Sequence, residues 1–149
     1  MRRFVARFGH KSFAALWFGA FGFLTTVLFF FPLSGKSHVV VLYILLPSTS
    51  AGLAGYICGG AILDSVKTKS YGKSLLRGLG VTALAYPIFS MLYAFALPLL
   101  EQGWSLREAV GLTPLALIFG LLMMGPLAAI AGMVAGATLF RFGHLFCEW

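Results

Sequence analysis

Arg7, Phe8, Gly9 and His10 recur as Arg141, Phe142, Gly143 and His144, one copy toward each end of the chain. Neutral imidazole is a good ligand for the central metal of a haem or chlorin. His10 and His144 are therefore candidate pigment ligands. The competing reading is that both are boundary histidines facing water or lipid. A ligand imidazole ordinarily leans on a carboxylate or carbonyl, and nothing in the sequence marks such a partner.

Other reactive groups are sparse. Cys58, Tyr56, Tyr86 and Tyr93 are mildly reactive side chains within apolar surroundings, and no acid–base pair accompanies them. Cys58 and Cys147 form no Cys-x-x-Cys pair, so free thiols are expected. Asp64 precedes a basic run and can pair with Lys67 or Arg77, or reach water at a helix end. Gly35, Lys36, Ser37 and Gly72, Lys73, Ser74 resemble the close of a phosphate-binding loop. The glycine that motif needs five residues earlier is Phe30 in one case and Lys67 in the other, so both fail.

Ser48, Thr49 and Ser50 follow Pro47 inside a long apolar run. Proline removes a backbone donor and tends to kink a helix. The hydroxyls then have two uses: capping carbonyls that the proline frees, or lining a polar crevice.

These residues are carried by four stretches, 12–31, 39–63, 78–100 and 113–140, that contain no charged residue and no histidine. A helix of roughly 20 apolar residues crosses a hydrocarbon core about 30 Å thick. The chain is 60% hydrophobic and 10% charged, whereas a soluble domain averages about 25% charged. The expectation is an all-α integral membrane protein: one membrane domain over residues 1–149, a four-transmembrane-helix bundle of two antiparallel hairpins. The first run is longer than a signal peptide's apolar core, so it reads as a retained span. In the third loop Ser105 and Glu108 fit a capping box. That predicts a short interfacial helix ending near Gly111. Thr113 as N-cap and Pro114 at the first helical position then open the last span.

The net charge is +7, which beside membrane spans reads as topology rather than nucleic-acid binding. Arg2, Arg3, Arg7, Lys11, Lys67, Lys69, Lys73, Arg77 and Arg141 fall on one side of the expected bundle. Lys36 and Arg107 alone fall on the other. The positive-inside rule puts both termini in the cytoplasm or its organellar equivalent. The location is thus a bacterial inner membrane or an organellar membrane. Lys67, Lys69, Lys73 and Arg77 form a basic cluster beside a span, suited to anionic lipids or an acidic partner.

Two small-residue stripes mark close helix contacts: Ala51, Gly55 and Gly59 in the second span, and Ala128, Gly132 and Gly136 in the fourth. These two spans are expected to face each other. The first span carries Phe13, Trp17, Phe18, Phe21, Phe23 and the run 29–31, read as an aromatic surface for lipid or a neighbouring subunit, with Trp17 as interfacial anchor. Ala54, Gly55 and Gly59 echo Ala131, Gly132 and Gly136. Either the two hairpins arose by duplication, as in some transporters, or Gly/Ala-rich helices simply resemble each other.

The missing groups exclude familiar four-span classes. Quinone-serving thiol oxidoreductases need cysteine pairs. Glutathione-using membrane enzymes carry Arg and acidic residues within their helices. Small multidrug exporters need an intramembrane carboxylate. The leading expectation is a non-catalytic subunit of a larger membrane assembly, with other integral membrane proteins and anionic lipids as partners and no nucleic acid. The alternative is a small oligomeric transporter or channel.

Overall fold

Apolar side chains cover every face of the long helices in this chain rather than one stripe, the pattern of a helix surrounded by apolar neighbours on all sides. The computed structural model describes residues 2–30, 44–67, 70–100 and 105–146, and all regular structure among them is helical. The helices are α1 (Arg2–Phe30), α2 (Leu46–Lys67), α3 (Tyr71–Leu100) and α4 (Leu106–Phe146).

Lys11–Leu28 of α1 and Tyr71–Leu99 of α3 are each long and apolar enough to cross a membrane. In α4, Leu106–Leu122 and Gly125–Arg141 meet at a bend of 68° and together make a third candidate. Pro126 lies at that bend, where its missing N–H leaves the Leu122 carbonyl without its helical partner. Residues 39–43, where the second expected span begins, lie outside the described residues. Near the start of α1, Gly9 takes φ 76°. This left-handed conformation, open to glycine, separates a basic N-terminal segment from the apolar remainder.

α1 packs antiparallel on α2. A Cβ added to Gly55 would stand 2.9 Å from the Ala14 carbonyl oxygen, and one added to Gly59 3.0 Å from the Lys11 Cα. Farther along, Gly19 and Gly52 approach each other, and Gly22 lies against Ala51 and Ser48. α3 packs antiparallel on α4 by the same device: Gly78 meets the Gly132 carbonyl, and Gly136 meets Ser74 and Gly78. With no hydrophobic drive between helices in lipid, such backbone approach substitutes dispersion and hydrogen bonding.

Two expectations change. The stripes of α2 and α4 do not face each other: the first packs on α1 and the second on α3. Stripe spacing defines a face but not the helix that covers it. No separate interfacial helix forms in the third loop. α4 runs unbroken through Gly111, and Thr113 is no N-cap; its hydroxyl donates to the Ala109 carbonyl at 3.2 Å. Around Pro47 the helix is irregular: Ile44 and Leu45 form a π-helical turn that runs into α2, and the Ser48 and Thr49 hydroxyls donate to the Ile44 and Leu45 carbonyls.

The aromatic first span also divides. Phe18 is buried, and Phe13, Trp17 and Phe21 pack against the same cluster as Ala54, Val81, Ala135 and Leu139. Phe23 faces outward with Leu16, Leu24 and Leu28. The inward aromatics follow three- and four-residue spacing, which places them on one helix face.

Candidate functional site

The two tight seams draw the helices together at one end of the molecule, around the cluster of Phe18, Ala54, Val81, Ala135 and Leu139. At the other end Leu97 and Ala109 pack with Leu46, Tyr93 and Ala96. Between these clusters lies a cavity of about 470 Å³. All four helices line it, α1 with Phe21 and Thr25, α2 with Ser50, α3 with Ala85 and Tyr86, and α4 with Leu127 and Ala131 among others. The α4 lining passes from Gly120 to Leu127 across the bend.

Five hydroxyls at the cavity are turned onto backbone carbonyls. Thr25 donates to Phe21 O at 2.7 Å, Thr26 to Gly22 O at 2.8 Å and Ser50 to Leu46 O at 2.6 Å. Thr82 donates across the α3/α4 seam to Ala128 O at 3.2 Å, and Tyr86 to Gly120 O at 3.3 Å. Among the described residues no buried side-chain polar atom lacks a partner. Among the described residues no carboxylate, amine, guanidinium or imidazole lines the cavity. Its chemistry is that of hydrocarbon and aromatic surface.

The residues singled out from the sequence separate into groups. Ser50 lines the cavity, whereas Ser48 bonds Ile44 O at 2.5 Å and Thr49 is exposed, bonding Leu45 O and Leu46 O. Ala51 and Ala128 line the cavity where the two seams reach it. Gly55 and Gly59 close the α1/α2 seam, and Gly132 and Gly136 the α3/α4 seam. Lys73 is exposed near the start of α3, and Arg77, half-buried, donates to the Ala61 carbonyl of α2. Lys69 lies outside the described residues, as do the side chains of Lys67, Asp64, His10 and His144, though His10 falls within α1 and His144 within α4. No group of three or more metal-ligating side chains occurs among the described residues.

Comparison with known protein families, with curated proteins and with solved structures gave no match. The site therefore stands on its own geometry.

Two features escaped sequence reading. Ser74, Gly78, Thr82 and Tyr86 recur every four residues on α3 and face α4, with Ser74 donating to Gly136 O at 2.8 Å. The signal was present, but it mixes glycine, hydroxyl and phenol rather than repeating one small residue. Trp17, read as an interfacial anchor, instead donates its indole N–H to Ala135 O at 3.1 Å and stacks between Phe13 and Phe21 at centroid distances of 5.9 and 5.7 Å.

Proposed function

We propose that the chain is a four-span membrane bundle, with both termini on the cytoplasmic side, that serves as a non-catalytic subunit of a larger membrane assembly. The observation that carries this reading is where its polar groups go. The hydroxyls of Thr25, Ser50, Ser74 and Thr82 are taken up by backbone carbonyls, in their own helix or in the one beside it. Polar groups used in this way hold helices in place.

Large apolar side chains point outward: Leu24 and Leu28 of α1, Ile57 of α2, Met91 and Leu99 of α3, Leu122 and Ile130 of α4. In a bilayer these residues face acyl chains or the helices of other subunits. The basic cluster, Lys73 and Arg77 included, supports cytoplasmic placement of the α2/α3 connection and contact with anionic headgroups, each cation contributing about 1 kcal/mol.

The test is purification of the tagged full-length chain from its native membrane in mild detergent. A stoichiometric integral membrane partner is expected. A stable, monodisperse chain without partners sinks the subunit role.

A second reading, a small transporter or channel, is favoured by the cavity that all four helices line. It predicts solute flux in liposomes that falls when Ser48, Thr49 and Ser50 are replaced by Ala. The carbonyl-bonded hydroxyls weigh against a hydrated ion path, which needs groups free to replace the hydration shell.

A further inference from the structure

We infer that the cavity between the helices is a binding site for one acyl chain of a membrane phospholipid. Its volume, about 470 Å³, falls in the range of roughly 300–1,000 Å³ typical of ligand pockets. The hydroxyls of Thr25, Thr26, Ser50, Thr82 and Tyr86 already donate to carbonyls, so a polar solute would give up its hydration for few free donors. A flexible hydrocarbon chain needs no such partners and adapts to the space, and the surrounding bilayer supplies it.

The route in is lateral. α1 and α4 pack against each other far less extensively than α1 does on α2 or α3 does on α4. The Trp17–Ala135 hydrogen bond ties α1 to α4 at the end where the seams close. Beyond it, toward Thr25 and Leu127, both helices line the cavity. A chain slipping between them from the membrane would lie against Phe21, Ala85 and Ala131. This site depends on embedding in the membrane and not on the subunit role. A chain that purifies alone but holds lipid in the cavity would overturn the one and keep the other.

The experiment uses the full-length protein in phosphatidylcholine vesicles containing a phosphatidylcholine with a diazirine on one acyl chain. After photolysis, labelled residues are mapped by peptide mass spectrometry. Label is expected on the cavity residues Phe21 and Ala85 as well as on the outward Leu28, Ile57 and Met91. In Ala131→Phe, whose ring fills the cavity, cavity label falls about tenfold, the effect of losing ~1.4 kcal/mol of contact, while outward label persists. Ala85→Phe, filling the same space from α3, is the second variant should Ala131→Phe lose its helical circular dichroism. Label confined to the outward residues of the unaltered protein overturns the site. So does cavity label that a folded filling variant leaves unchanged.

Discussion

The indole nitrogen of Trp17 donates to the carbonyl oxygen of Ala135 at 3.1 Å, joining α1 to α4 across 118 positions of sequence. It is a long-range tie between helices that otherwise contact each other sparsely. Ala135 lies between the seam glycines Gly132 and Gly136, so the bond couples the α3/α4 seam to the aromatic face of α1.

Trp17→Phe retains the stacking with Phe13 and Phe21 and deletes the N–H. Interhelical hydrogen bonds in membrane proteins average about 0.6 kcal/mol and reach ~1.7. A loss of that size is expected, read as a lower midpoint in reversible unfolding by sodium dodecyl sulfate, followed by circular dichroism. A loss well above it would mean that the indole body, rather than its N–H, carries the contact.

Gly132→Ala is expected to destabilise by about 1–3 kcal/mol, the usual scale of overpacking. Its new Cβ would collide with Thr82 Oγ1 and stand 2.8 Å from Gly78 O. Gly80→Ala, on α3 but with nothing within 4 Å of its Cβ, should be neutral or gain up to about 1 kcal/mol from helix propensity. The same unfolding assay compares them, and equal effects would refute the seam.

Ser74→Ala removes the buried hydroxyl that reaches Gly136 O at 2.8 Å, at an expected cost of ~0.6–1.7 kcal/mol. Thr138→Ala removes a hydroxyl that bonds Val134 O and Ala135 O within its own helix, and should change stability little. The contrast separates bonds between helices from bonds within one. Because overpacking exceeds either hydrogen-bond loss, Gly132→Ala should be the most damaging of the three.

Helices are legible in this chain because uncharged runs of bilayer length have few alternatives. The faces of close contact are legible too, since Gly55 with Gly59 and Gly132 with Gly136 fall one turn apart. Which helix covers each face is not, because a glycine records that something comes near without recording what. Helix ends are read poorly for a related reason. Gly111 ends a helix only by adopting positive φ, and among the described residues Gly9 alone does so. The cavity left no sequence mark, since Thr25, Ser50 and Thr82 look the same whether they line a space or fill one.

The capping box at the start of α4 gives a pH prediction. Ser105 N–H donates to Glu108 Oε2 at 2.9 Å, the Ser105 hydroxyl to the same oxygen at 2.6 Å, and Glu108 N–H to Ser105 Oγ at 3.3 Å. The side-chain bond from Ser105, and then its backbone bond, hold the Glu108 carboxyl below its ordinary range. A depressed folded value means that the cap contributes fully above the unfolded pKa, about 4.3. Its contribution disappears as pH falls through the lower folded value. Nuclear magnetic resonance of the Ser105 and Glu108 amides should titrate below that of an unpartnered glutamate, and Ser105→Ala should raise the midpoint. An unchanged midpoint would dismiss the box.

The proposed site and role both rest on how the four helices are threaded. Impermeant maleimide labelling of single cysteines, in intact cells and in a Cys58→Ser, Cys147→Ser background, measures that threading directly. Gly35→Cys and Gln102→Cys should label from outside, and Arg3→Cys and Ser70→Cys only after permeabilisation. Labelling of Arg3→Cys or Ser70→Cys in intact cells, or protection of either Gly35→Cys or Gln102→Cys, would contradict four spans with both ends inside.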